Sequence, residues 1–417
     1  MNVSCSAPLA LVTLFLWCFA EIVTAADTNA RLREFASLKR EQIEELAARL
    51  HYDVPVEARA FFKAAEAGDY VAVSNAYAQV QRLSASNASM TGLTNALNVP
   101  IHETWGAYEE VYYWYPKLLR QYAEGILDSM PSNSVYFGGT DPGRFVITMY
   151  NDTSKDPHVV VLTPKFVITQ NVLAENRYMD YLRLTQGERL WLPSTNDVRS
   201  AFQQCIDDIR ERQRRGERLG TDERVEGSNT VRGVVAVMNI NGIISRMIFE
   251  DNKAQHPFFV EESYVIAWMY PFMEPHGLIL KLNKEELPAL DPKVVNEDTR
   301  FWDALTAKLL ADRSFTNNIA AQKTYSKLRS AIGGLYAYRR MTPEAEAAFK
   351  QALELCPISP EANFRLAQLY MESKRYDAAI AVMDRLLSQL SPGSERDKVA
   401  LASAQIRDMK RKAEQAP

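Results

Sequence analysis

The sequence lacks most of the residue groupings that announce chemistry. Five histidines (His51, His102, His158, His256 and His276) are scattered over 417 residues, and no two stand at HxxxH spacing. Four cysteines form no CxxC or Cys/His grouping. Zinc sites of familiar spacing are therefore excluded, and no metal is expected. No GxSxG elbow presents a nucleophile. No Gly-Lys-Ser/Thr closes a phosphate loop and no GxGxxG opens a dinucleotide site, so no cofactor and no catalytic residue are assigned. An excess of positive charge is missing too. Lys and Arg number 48 against 52 Asp and Glu, a net charge of −4. Nothing in that balance argues for a nucleic-acid partner. Gly and Pro, at 17 and 19, are too few for a long disordered tract.

Long apolar runs are also scarce. One stands near the start, Leu9 to Ala20, "LALVTLFLWCFA". It is short for a bilayer span and suits the core of a signal peptide, with small residues following in "VTAAD". A signal over 1–25 implies an exported protein, periplasmic or secreted, that is not integral to the membrane after cleavage. No Lys or Arg precedes the run, so the alternative is an uncleaved segment that tethers the chain to a membrane. Cys5 and Cys18 would leave with the signal. Cys205 and Cys356 sit in amphipathic helical text and read as buried thiols, a disulfide being the other possibility.

Residues 27–130 read as a helical region. "VEARAFFKAAEAGDYVAVSNAYAQVQRL" gives two helices meeting at Gly68-Asp69. Pro116 suits the first position of another helix. Trp105, Tyr108, Tyr112 and Tyr115 recur near helical spacing, as a packing face or a sugar-stacking one. From 131 to 292 short β-rich runs ("VYF", "FVIT", "RLWLP", "FFVEES", "GLILKLN") alternate with helical text. That alternation predicts an α/β domain, Rossmann-like with a largely parallel sheet. "INGIISRMIFEDN" carries Ile240, Ile243, Ile244, Met247 and Ile248, one expected buried helix face.

The stretch "VYFGGTDPGRF", Val135 to Phe145, reads as strand, glycine turn and helix start. Asp141 is expected as N-cap with Pro142 at the first helical position. A carboxylate on those amides would oppose a phosphate, with Arg144 as its offset. Other polar residues end neighbouring runs: Gln170 and Asn171 after "FVIT", Glu261 after "FFV". Parallel sheets bind ligands at such ends. Asp141, Arg144, Gln170, Asn171 and Glu261 are thus the candidate ligand residues, suited to sugar hydroxyls or a hard cation. Capping and turn chemistry is the competing reading.

After a helical connector at 293–325, the sequence repeats. Ile332, Gly333, Tyr336, Ala345, Phe349 and Ala352 recur 34 residues later as Leu366, Ala367, Tyr370, Ala379, Met383 and Leu386. This resembles two tetratricopeptide repeats over 326–392, with small residues where paired helices touch. Thr342-Pro343 and Ser359-Pro360 supply hydroxyl-proline helix starts. Residues 393–417 supply a capping helix with Ser394 as N-cap, and the expected C-terminal architecture is an α-solenoid. The resemblance implies a concave face carrying Lys327, Ser330, Tyr338, Phe364, Gln368 and Met371, a face that in this family binds an extended peptide.

"VYFGGTDPGRFV", "FVITQN", "FFVEESYVIAWMYPFMEPHGLILKLNKE" and "KTYSKLRSAIGGLYAYRRM" together resemble a further family. These are soluble C-terminal halves of bacterial multi-pass membrane proteins, regarded as lipid-linked-sugar glycosyltransferases of the protein O-mannosyltransferase type. No text for the membrane half, where that family's chemistry is placed, is found here. The resemblance therefore implies architecture and not activity. The expected function is an exported interaction or scaffold module, binding a protein or peptide through its repeats beside envelope glycosylation. The alternative is a glycan or sugar-phosphate binder, or a glycosyltransferase-related enzyme, using the α/β crevice.

Overall fold

The structure is a computed structural model that describes residues 8–85, 95–153, 165–220, 222–227 and 230–415, with side chains from residue 27 onward except at 85. The side chains of the N-terminal apolar run and its cleavage text lie outside that description. The chain divides into two compact units, Met1–Pro257 and Phe258–Pro417.

The first unit opens with helices α1 (Pro8–Leu50), α2 (Val56–Ala67), α3 (Tyr70–Ala85), α4 (Asn98–Tyr113) and α5 (Pro116–Leu127). On α1 the buried residues Leu32, Phe35, Ala36, Ile43, Leu46 and Ala47 recur every three or four positions, one apolar stripe. The expected corner between α2 and α3 is present. Gly68 turns the chain at φ 79°, where a side chain would be strained. Asp69 then caps α3, its carboxylate accepting from the amides of Val71 and Ala72 at 3.0 and 3.1 Å. Pro116 occupies the first position of α5.

Strands β1 (Val135–Gly138) and β2 (Phe166–Thr169) pair in parallel, Val135 opposite Phe166 and Gly138 opposite Thr169. Between them lie a π-helical turn, Pro142–Val146, and α6 (Ile147–Asp152). The expected cap is corrected here. Asp141 has helical dihedrals and makes no capping bond. Thr140 caps instead, its hydroxyl accepting from the Gly143 amide at 3.0 Å. Asp141 is drawn away by Arg144, whose Nη2 lies 2.6 Å from its carboxylate.

Helices α7 (Asn176–Gln186) and α8 (Thr195–Arg214), a hairpin of β3 (Arg224–Glu226) and β4 (Thr230–Arg232), and α9 (Val234–Asn252) complete this unit. On α9 the buried face runs through Ile240, Asn241, Ile244, Ser245, Ile248, Phe249 and Asn252, leaving Ile243 and Met247 half-buried. "RLWLP", expected as a strand, is not one. Buried Asn252 bonds both the amide and the carbonyl of Trp191, at 3.0 and 2.9 Å. A side chain thus does the work of a ladder neighbour.

The second unit has β5 (Phe258–Val260), β6 (Met273–His276) and β7 (Ile279–Leu282), with β7 antiparallel to both of the others. The chain is mostly helical with a small mixed set of strands. The largely parallel, Rossmann-like sheet is therefore corrected. β6 and β7 are joined by a tight turn at Gly277, φ 59°, and so short a link can join only antiparallel strands.

Helices α10 (Pro292–Ala311), α11 (Arg313–Thr316), α12 (Ile319–Tyr338), α13 (Thr342–Leu355), α14 (Pro360–Glu372), α15 (Tyr376–Gln389) and α16 (Ser394–Gln415) follow. Within the connector expected at 293–325 the helical text breaks at Asn318, whose side chain caps α12 through the Ala321 amide at 2.8 Å. The residues that recur at 34 are buried in both repeats. A Cβ on Gly333 would stand 2.7 Å from the Phe349 ring, so α12 and α13 touch there only because the residue is glycine. Ser359 caps α14 as expected. Thr342 does not cap α13 but lies within it, as Ser394 lies within α16.

Both ends of the array are covered. Asp298 of α10 forms a buried ion pair with Arg329 of α12 at 2.7 Å and accepts from the Tyr336 hydroxyl at 2.7 Å. At the other end Ser403 and Arg407 of α16 bond Asp384 of α15 at 2.8 and 2.6 Å. Those lids supply what two repeats lack on their own.

Candidate functional site

The concave side of the repeats, between α12 and α14, already holds a piece of the chain. The segment Glu261–Phe272, which ends in a 3₁₀ turn, lies against it. Tyr270 packs on Tyr338 with ring centroids 5.0 Å apart, and its hydroxyl donates to Glu262 at 2.5 Å. Burial, then Glu262, pushes the Tyr270 phenol well above its ordinary pKa. Arg365 of α14 bonds Glu262 at 2.7 Å and the Ser330 carbonyl at 3.3 Å. Arg339 donates to the carbonyls of Tyr270, Pro271 and Leu287 at 3.1, 2.6 and 2.5 Å. Gly334 makes room for this: a Cβ there would stand 2.1 Å from Arg365 Nη1. Beside the segment remains a cavity of about 390 Å³, walled by Val265, Ala337, Tyr338, Gln368 and Leu369 among others.

The residues expected on the concave face are divided by the structure. Tyr338 and Gln368 line this cavity. Phe364 is exposed one turn before Gln368 on α14, while Lys327 and Met371 are half-buried and Ser330 is buried. Missed by sequence reasoning were Tyr270, Arg365 and Gly334. The paired glycines of "IGGLY" were the available signal, since the 34-residue pattern explains only the first.

A second, more polar cavity of about 240 Å³ lies in the first unit. Helix α3 supplies Tyr77 and Gln81, α4 supplies Asn98, His102 and Glu103, and the π-helical turn supplies Arg144 and Phe145. Thr169 at the end of β2 and Glu175, Arg177 and Tyr178 at the start of α7 close it. Glycines set the turn in place. A Cβ on Gly138 would stand 2.5 Å from the Gly143 carbonyl, and one on Gly106 would stand 2.1 Å from the Phe145 ring. His102 Nδ1 and the Tyr77 hydroxyl share a hydrogen bond at 2.9 Å. Burial, and then the guanidiniums of Arg144 and Arg177, pull its pKa down to about 4.

Of the expected ligand residues, Arg144 lines this cavity. Asp141 stands just outside, held by Arg144. The Asn171 amide donates to the Gly139 carbonyl at 2.6 Å, bracing the turn. Gln170 is buried in the same unit, and Glu261 is buried in the other. The aromatic run packs: Trp105 stacks on Tyr77 at 4.7 Å and Tyr112 on Tyr70 at 4.2 Å. Behind the cavity wall, buried Lys39 pairs with Glu103 at 2.6 Å and Asp152 at 3.1 Å. Burial alone would lower the Lys39 pKa, but Glu103, Tyr181 and Asp152 together hold it raised. Four elements meet at that lysine, and nothing in the local spacing announces it. Among the described residues, no group of three or more His, Cys, Asp or Glu is placed to hold a metal ion, and no helix is long and apolar enough to cross a membrane.

Helix pairs at a 34-residue period, small residues at their contacts and lids at both ends define the class: a protein with tetratricopeptide repeats. Residues 340–395 match the family model described as tetratricopeptide repeat. No curated protein and no solved structure matches the chain. The family model covers the repeats alone, so it lends nothing to the O-mannosyltransferase resemblance.

Proposed function

We propose that the chain is an interaction module that holds an extended peptide against α12 and α14. The cavity beside Tyr338 and Gln368 carries this reading. The chain's own segment supports it by placing backbone carbonyls on an arginine and a large ring against Tyr338. The partner is accordingly an extended peptide with a bulky apolar side chain, next to a basic one for Glu372 at the cavity wall. Peptides selected from a random display library against the full chain should carry that pair. Their affinity should fall at least 10-fold, about 1.4 kcal/mol, when Tyr338 and Gln368 are both changed to Ala. Selected peptides that bind the double variant equally would sink this reading.

The proposal extends to an exported protein that works beside envelope glycosylation components. The apolar run Leu9–Ala20 with "VTAAD" after it supports export. The resemblance of the strand–turn text to the glycosyltransferase-related family is the ground for the association. Full-length protein carrying Leu14→Arg should remain in the cytoplasmic fraction if the run directs export. Unchanged fractionation would count against it.

A further inference from the structure

The polar cavity of the first unit has features that packing does not require. Arg144 spends Nε and Nη2 on one oxygen of Asp141, at 3.1 and 2.6 Å. Arg177 spends Nε on Glu175 at 2.6 Å. Among the described residues no bond is made by Nη1 of Arg144 or by either Nη of Arg177. Both carboxylate partners are well exposed, so these pairs are weak and exchangeable. A guanidinium fork with free donors is matched to a planar or tetrahedral oxyanion. Deeper in, Asn98 is 7% exposed and its Oδ1 has no hydrogen-bond partner. A buried acceptor left open costs free energy that a ligand's donor would recover. The site sits where β2 ends and where β1 runs through the turn, the end of parallel strands at which ligands collect. Lys39 offsets part of the Glu103 charge from behind, shared as it is with Asp152.

We propose that this cavity binds a small organic oxyanion, its phosphoryl or carboxylate group facing Arg144 and Arg177 and a hydroxyl donating to Asn98. The lowered pKa of His102 agrees with it. The two arginines outweigh Asp141 and Glu175 at that ring, so the potential there is positive. With His102 neutral, the ring also offers a polar nitrogen to a ligand without adding charge.

Calorimetric titration of the full chain with inorganic phosphate, glycerol 3-phosphate, glycerate and glycerol tests the site. Saturable binding of glycerol 3-phosphate or glycerate, with none of glycerol, is expected. Whichever of those two binds more tightly identifies the head group as phosphoryl or carboxylate. Arg177→Gln should weaken it at least 10-fold. Asn98→Ala should weaken the hydroxyl-bearing probes several-fold and leave inorganic phosphate unchanged. Arg144→Gln should match Arg177→Gln. If that variant fails to fold, Arg177→Gln alone decides, because its side chain is 42% exposed and its ion pair is with the equally exposed Glu175. Absence of saturable binding by all three anions, or binding indifferent to Arg177→Gln, overturns the proposal.

Discussion

The groove of the repeats and the cavity of the first unit are both walled by tyrosines and arginines, yet they use arginine in opposite ways. In the groove, Arg365 is committed to Glu262, whose side chain is 2% exposed, and Arg339 to three carbonyls. In the cavity, Arg144 and Arg177 are paired with carboxylates that water reaches, and each keeps donors in reserve. The burial of the partner, not the presence of the arginine, decides the role. A buried partner makes the pair structural, because removing one member strands a charge. An exposed partner can be exchanged for a ligand at little cost. The groove therefore offers shape and the cavity offers charge.

The sharpest way to break that contrast is to remove one carboxylate from each kind of pair. Asp298→Ala strands buried Arg329 and deprives the Tyr336 hydroxyl of its acceptor. It should cost about 3–5 kcal/mol. Asp141→Ala removes an exposed partner and should cost less than about 1 kcal/mol. Urea unfolding of the full-length variants measures both. Similar losses for the two would mean that burial of the partner is not what separates them.

A smaller effect separates the repeats from the rest of the molecule. Gly333→Ala pushes a methyl to 2.7 Å from the Phe349 ring. Overpacking outweighs the better helix propensity of alanine, leaving a net loss of about 1–2 kcal/mol. The second repeat already contains the remedy: its equivalent pair is Ala367 with Met383, both buried. Adding Phe349→Met should regain most of the loss. Gly106→Ala, with 2.1 Å to the Phe145 ring, has no such precedent in the first unit. No recovery in the Gly333→Ala, Phe349→Met double variant would show that the two repeats do not share one packing rule.

How far the sequence could be read follows the same division. The repeats were legible because six positions recur at a fixed offset, and helix contacts impose the same small-and-large alternation each time. The corner at "VYFGGTDPGRF" was legible as strand, turn and helix, but the cap was placed one residue late. Thr140 and Asp141 can both cap, and the choice fell to Arg144, a side chain three residues on that claims the carboxylate. "RLWLP" misled because its backbone partner is the side chain of Asn252, 61 residues away. The polar cavity was least legible. Its walls come from α3, α4, the π-helical turn, β2 and α7, and no local period links them. Arg144 alone among the expected ligand residues reached it.

The smallest effect is also the most selective, since the two units should weaken in different pH windows. His102 has its pKa lowered in the folded state, to about 4, against about 6.5 when unfolded. The unfolded chain binds the extra proton first, so this contribution is present above pH 6.5 and is lost as pH falls toward 4. In the repeats, Glu346 accepts from Arg375, Lys350 and Tyr370, and Arg375 first holds its pKa down, to about 2, from 4.5. Its contribution is present above pH 4.5 and is lost only as pH falls toward 2. Two-dimensional NMR through an acid titration should show His102 titrating well below 6.5. Urea midpoints of His102→Gln and Glu346→Gln should lose their pH dependence in the upper and the lower window respectively. A His102 midpoint at or above 6.5 would remove the positive potential inferred for the cavity and leave the groove as the only site with a physical case.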